Sequence, residues 1–288
     1  MLVDESLAAL RRLDWRITPE SRAAHRALFT PLHETHGYRA PVVHRDLAYG
    51  DDARQRLDVH TAPGAAGRPV LVFLHGGGFT AGDKTLPGTP FYDNVGGWAT
   101  GNDVVAVTMT YRLAPEHPWP SGAQDVAAAV AWIREHIAGH GGDPDRIVLM
   151  GHSAGGTHVA GYLAGQAGTA ATGVIAAVLL SAFFDPAPVQ HQAPMRAYFG
   201  EDPDRYPMQS AVAGLVGSDV PLLVAVAERD LPDCHGQAVA LLDAMLAHRA
   251  SMPLFVTIPD HTHLSEIQSL GLDDEAFGAA LARFIRRA

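Results

Sequence analysis

The chain has 288 residues, 47% of them hydrophobic, which is ample for one large domain or two small ones with a sizeable core. Its formal charge is −10, and its basic residues are almost all arginine, with Lys84 the only lysine; no basic stripe interleaved with aromatics is present, which argues against nucleic-acid binding. The single cysteine, Cys234, rules out an internal disulfide and reads as a small buried thiol in a reducing compartment.

From the N-terminus, Met1 to Arg16 carries Asp4 and Glu5 and lacks the apolar stretch of a secretory leader. Leu7, Leu10 and Leu13 recur at helical spacing, and Pro19 is placed to open a second helix after Thr18. At Val42 the texture changes to strands: Val42-Val43, Gln55 to Val59, Pro69 to Leu74 and Val104 to Thr110. The run to Leu74 is continuously apolar, as in a strand buried on both faces. Gln124 to Ile137 reads as an amphipathic helix ending near Gly139–Gly142, and Ile147 to Met150 as the next strand, followed by a small-residue helix from Gly156 to Gly165. Further strands are expected at Gly173 to Leu180, Pro221 to Ala227 and Pro253 to Ile258, with helices at Gln237 to Arg249 and Asp274 to Arg287. The longest apolar run, Val174 to Phe184, is interrupted by Ser181 and is too short to span a bilayer, so a soluble, cytoplasmic protein without membrane contact is expected. Alternating strands and helices predict an α/β architecture with a mostly parallel sheet between helical layers. Phe184 to Val220 contains no strand and is rich in Pro and Gly. A stretch that long inside a compact domain is usually functional, and it is read with the N-terminal helices as a small cap.

The strand Ile147–Met150 runs directly into Gly151-His152-Ser153-Ala154-Gly155. Gly-x-Ser-x-Gly between a strand and a helix is a nucleophile elbow: the serine sits on a strained turn, and small flanking residues let strand and helix pass closely. Ser153 is therefore the candidate nucleophile. Five residues alone would also fit an ordinary turn, so the rest of the chain has to supply partners. His75-Gly76-Gly77-Gly78-Phe79 follows the buried strand to Leu74. Backbone N–H groups of such a loop, with that of the residue after the nucleophile, can hold a developing oxyanion. The candidates are Gly77, Gly78 and Ala154, while His75 reads as a structural hydrogen-bonder. A serine needs a base oriented by a carboxylate, in the chain order Ser, acid, His. Pro221–Ala227 leads to Asp230, preferred over Glu228 and Asp233, and Pro253–Ile258 leads to two histidines, His261 and His263. His152 is expected to point away from the reaction. Asp260-His261-Thr262-His263 could chelate a cation locally, but no zinc pattern or phosphate-loop ending accompanies it, so neither metal nor cofactor is expected.

Taken together these residues resemble the α/β-hydrolase fold, within it the hormone-sensitive-lipase-like esterases and their feruloyl-esterase/kynurenine-formamidase-like relatives. Tyr111-Arg112-Leu113-Ala114-Pro115-Glu116-His117-Pro118 and Gly142-Asp143-Pro144-Asp145-Arg146 are similar to family segments, and the resemblance covers about residues 43 to 287. It implies a triad of Ser153, Asp230 and His263, and a bracing role for Arg112 and Glu116. His152 stands where the lipase-like group usually has Asp. Asp230-Leu231-Pro232-Asp233 likewise differs from that group's Asp-Pro-Leu-Arg-Asp. His152, Asp46-Leu47-Ala48-Tyr49-Gly50, Arg56-Leu57-Asp58-Val59, Gly82-Asp83-Lys84 and His263-Leu264-Ser265-Glu266-Ile267 look more like the feruloyl-esterase/formamidase side, and the last of these favours His263 over His261.

The expectation is a serine carboxylesterase for small to medium esters, built from an N-terminal helical cap segment (1–40) and a catalytic domain (41–288) whose 184–220 stretch adds to the cap. An arylformamidase with the same triad is the rival, and a non-catalytic receptor on an esterase scaffold a remote one; a peptidase would need a propeller or large lid. Phe183, Phe184, Tyr198, Phe199 and Tyr206 would suit an apolar pocket or ordinary packing. A C-terminal edge strand could pair two subunits into a homodimer.

Overall fold

Thr18 caps a helix, as its place before Pro19 predicts. In the computed structural model, which describes residues 4–169, 172–249, 252–272 and 275–288, α1 spans Asp4–Arg12 and α2 Pro19–His36. Thr18 Oγ1 accepts from the Ser21 amide at 3.1 Å, and Ser21 Oγ accepts from the Thr18 amide at 3.0 Å, which satisfies two otherwise orphaned N–H groups reciprocally. Leu10, Leu13 and Phe29 bury their apolar faces with Phe91 and Leu272.

The remaining chain alternates as predicted. Its elements are β1 (Val42–Ala48), β2 (Arg56–Thr61), β3 (Arg68–Leu74), α3 (Asp93–Gly101), β4 (Val105–Met109), α4 (Ser121–His136), β5 (Gly142–His152) and α5 (Ala154–Leu163). They continue with β6 (Val174–Leu180), α6 (Ala193–Phe199), α7 (Tyr206–Gln209), α8 (Val212–Gly217), β7 (Leu222–Arg229), α9 (Pro232–Arg249), β8 (Leu254–Thr262), α10 (Ser265–Gln268) and α11 (Glu275–Arg287). One eight-stranded sheet runs in the order β1-β2-β4-β3-β5-β6-β7-β8; β2 is antiparallel to both neighbours and every other pair is parallel.

The continuous apolar runs are explained by layers on both faces. In β3, Val70, Val72 and Leu74 point into the layer of α4, α5, α8 and α9, while Leu71 and Phe73 point into that of α3 and α11. In β5, Ile147 and Leu149 divide from Val148 and Met150 in the same way. Period-two alternation thus feeds two cores from one strand, each buried side chain contributing about 1.5–3 kcal/mol.

Several elements differ from the sequence expectation; β1 runs on to Ala48, α9 begins at Pro232 rather than Gln237, and α10 is an addition. α3 was not foreseen, because Asp93–Gly101 contains three glycines and weak helix propensity; burial of Val95 and Ala99 against the sheet overrides it. β5 begins at Gly142 rather than Ile147, and β8 continues past Ile258 to Thr262, through Asp260 at φ +64°. The 184–220 stretch carries only short helices and no strand among the described residues. The expected opening of the last helix at Asp274 lies outside the described residues.

Candidate active site

Ser153 stands between β5 and α5, capping the helix, with φ 54° and ψ −123°, a conformation a non-glycine residue adopts only under constraint. Two bonds impose it. The Ser153 amide donates to Leu180 O at 2.9 Å, extending the β5–β6 pairing, and its carbonyl accepts from the Thr157 amide at 3.2 Å, the first turn of α5. The crossing needs a bare backbone: a Cβ on Gly155 would lie 2.3 Å from Leu74 O. The serine therefore stands at the head of a helix, where the first N–H groups lack intrahelical partners.

The candidate acid and base come from neighbouring strand ends. Asp230 follows β7 and His263 follows β8, and His263 Nδ1–H donates to Asp230 Oδ1 at 2.8 Å, both side chains being buried. Asp230 Oδ1 also accepts from the Leu231 amide at 2.7 Å, and its Oδ2 from the Ala227 amide at 3.3 Å and from Ser181 Oγ. Burial would raise the Asp230 pKa, but the adjoining His263 and these donors outweigh it and bring it down to about 2. The other carboxylates are engaged elsewhere. Glu228 accepts from the Asp260 amide at 2.7 Å, and Asp233 from Gln192 Nε2 at 2.5 Å. His261 Nδ1 lies 3.0 Å from Ser265 Oγ.

His152 is buried and packs against His263, with the ring centroids 4.7 Å apart. Its Nε2–H donates to the carbonyl of His263 at 2.8 Å, so the residue beside Ser153 holds the backbone of His263. Burial and the nearby His263 ring push His152 down to about 3, which keeps it neutral. Cys234 is a buried thiol, as expected; its Sγ donates to Ser181 O at 3.4 Å and lies 3.8 Å from His263 Nδ1, and burial raises its pKa well above normal.

In the glycine loop, Gly77, Gly78 and Phe79 all have positive φ (143°, 60° and 66°), and a Cβ on Gly77 would lie 1.9 Å from Ala81 O. Ala154 is fully buried at the first position of α5. The loop's root is braced by His75 and Tyr111, and by Arg54, which the sequence did not single out. His75 stacks on Tyr111 at 4.4 Å, Tyr111 Oη donates to His75 O at 2.7 Å, and Arg54 Nη2 donates to Gly82 O at 2.9 Å. Burial outweighs the Gly76 carbonyl contact and lowers His75 to about 4, a neutral structural ring as foreseen. Arg112 braces as expected, but its partner is Asp125 (Nε to Oδ1, 2.8 Å), and Glu116 is exposed outside that contact: the buried acceptor lies on α4, thirteen residues along. The five aromatics are all buried; Tyr198 stacks on Phe79 at 4.6 Å. Two groups, His152-His263-Glu266 and Asp230-Cys234-His263, bring potential ligand atoms within 4.8 Å of one another. Both share His263, whose Nδ1 is committed to Asp230, so a cation would have to compete with that bond.

A profile of the α/β-hydrolase fold matches residues 71–254, nearly two thirds of the chain, and the chain belongs to that family. It is 45% identical over 98 residues to the esterase LipI of Mycobacterium tuberculosis (34% of this chain, 29% of that protein). With the carboxylesterase NlhH of the same species it shares 46% over 89 residues (31% and 26%). The match thus spans less than a third of the length of these curated relatives. Among solved structures, a bacterial heroin esterase superposes with a TM-score of 0.73 at 23% identity (99% of this chain, 97% of that chain). An esterase of the bacterial hormone-sensitive lipase family superposes with 0.72 at 22% (99% and 97%). These superpositions establish the fold. Among the described residues no helix is long and apolar enough to cross a membrane.

Proposed function

We propose that the chain is a serine carboxylesterase that acts on small to medium esters through an acyl-enzyme on Ser153. The observation that carries the proposal is the buried Asp230–His263 pair at 2.8 Å, with the His263 backbone held by the residue adjoining a strained elbow serine. In this mechanism His263 Nε2 takes the Ser153 proton as Oγ attacks the ester carbonyl. The amides of Gly77, Gly78 and Ala154 receive the oxyanion. His263 then protonates the leaving alcohol, and water activated by the same imidazole releases the acid. Asp230 holds the imidazole in its working tautomer and stabilises the imidazolium. The esterase names of the matched relatives support an ester rather than a formamide as the scissile bond. α1, α2 and the 184–220 stretch are proposed to cap the site. The N-terminal part is supported by the 2.6 Å contact of His25 Nε2 with Thr262 Oγ1, next to His263.

The test compares kcat/KM for p-nitrophenyl esters of increasing acyl length with that for N-formylkynurenine. A clear preference for one ester length is expected, with Ser153→Ala losing at least about 10⁴-fold. Full ester hydrolysis by that variant would overturn the mechanism, and a preference for the formamide would make the enzyme an arylformamidase with the same triad.

A further inference from the structure

Glu266, three residues after His263 on α10, has no part in the mechanism above, yet it is fully buried against the machinery. Groups from five elements face it: His152 at the end of β5, Ser181 after β6, the Ala227 amide of β7 with Asp230 beyond it, Cys234 of α9, and His263 itself. One of its oxygens, a ring nitrogen of His152 and a ring nitrogen of His263 all lie within 4.8 Å, and the His152 Nε2 distance is 3.2 Å. No Lys or Arg is among these neighbours, and neither oxygen of Glu266 accepts an aligned hydrogen bond.

Two buried carboxyls, each with a ligand atom within 4.8 Å of a His263 ring nitrogen, cannot both ionise cheaply. The donors decide which one does. Asp230 receives the His263 Nδ1–H, the Leu231 amide, the Ala227 amide and the Ser181 hydroxyl. Ser181 and the Ala227 amide also act on Glu266, where they offset only part of what burial and the Asp230 charge do to raise its pKa. The hydrogen bonds of both donors go to Asp230, which also has His263.

We infer that Glu266 is a second, reserve acid of this site: a positioning residue that forms with Asp230 a pair carrying one charge, and that takes over the orientation of His263 when Asp230 is absent. The inference rests on the reading of Asp230 and His263 as orienting acid and base. Without Asp230, Glu266 loses its repelling neighbour, gains the Ser181 and Ala227 donors, and can ionise within reach of His263.

The experiment measures kcat/KM for p-nitrophenyl acetate from pH 5 to 9, with melting temperatures, for wild type, Asp230→Ala, Glu266→Gln and the double variant. The loss caused by Glu266→Gln should be at least about tenfold larger in the Asp230→Ala background than in wild type, the signature of coupled groups. Asp230→Ala should show an activity that rises with pH as Glu266 ionises, and the double variant should lack that limb. Equal losses in both backgrounds with an unchanged pH profile would overturn the inference. Should the double variant fail to fold, the downfield Nδ1 proton resonance of His263 in Asp230→Ala decides: its retention supports a second acid and its loss rejects it. Full activity in both Asp230→Ala and the double variant would instead remove Asp230 from the mechanism, leaving the Ser153→Ala result to stand separately.

Discussion

At Glu266 burial falls on the charged form, so the native state keeps a proton that the unfolded chain releases. As pH rises through the ordinary carboxylate range, the unfolded state comes to bind fewer protons than the native one, and this residue's contribution becomes destabilising. The melting temperature of Glu266→Gln minus that of wild type should therefore grow from pH 4 to pH 7; a difference that is flat across that window would mean Glu266 is ionised in the native state. Asp230 has the opposite sign. Its pKa is depressed to about 2, so its contribution is complete above the unfolded value of 3.8 and is lost as pH falls towards 2. The candidates Ser153 and Asp230 were read from the strands they follow, and His263 was preferred to His261 only by the resemblance of His263-Leu264-Ser265-Glu266-Ile267 to the family's ending. Glu266 was not legible in the chain, since nothing in His263-Leu264-Ser265-Glu266 says that the glutamate turns inward to meet side chains from β5, β6 and β7.

Among the elements, the segment after the glycine loop is tied to β1, β2 and α3 by charge. Lys84 Nζ contacts Asp46 at 2.7 Å and Asp58 at 3.0 Å, and Arg45 bridges Asp58 at 2.7 Å and Asp93 at 2.6 Å. Asp58 is fully buried and Lys84 only 5% exposed, so removing the ammonium leaves a buried carboxylate with one cation fewer. Lys84→Met should cost about 3 kcal/mol in urea unfolding, with partial recovery in Lys84→Arg. The exposed Asp46 half of the cluster contributes little to that figure, so Asp46→Asn should be nearly neutral. The sequence showed each member as a separate charge on a separate segment; their convergence depends on the β1–β2 register and on the path of the loop through Lys84.

For the molecule as a whole, buried neutral histidines dominate the acid response. Burial lowers His60 and His75 to about 4 and His152 and His158 to about 3. Below about pH 6.5 the unfolded chain takes up protons that the native protein refuses, so the unfolded state is favoured as pH falls. Each such histidine contributes up to about 1.4 kcal/mol per pH unit between its unfolded and folded values. The melting temperature should therefore drop steeply from pH 6.5 to pH 4, which scanning calorimetry in a buffer series would show. A flat profile over that range would mean these rings are protonated in the fold.

The sequence by itself determined the strand runs and the two sharp glycine turns, because each depends on backbone sterics or apolar period within a few residues, and it offered a candidate nucleophile, acid and base in the chain order of the resembled fold. The order also placed the candidate residues at the ends of the strands that became β5, β7 and β8. Only the tertiary structure decided the fate of the charges. Asp125 meets Arg112, Lys84 goes inside, and Glu266 is buried within 4.8 Å of His152 and His263. A charged side chain's partner is set by which remote strand ends the sheet brings together, and no local pattern in the chain encodes that distance.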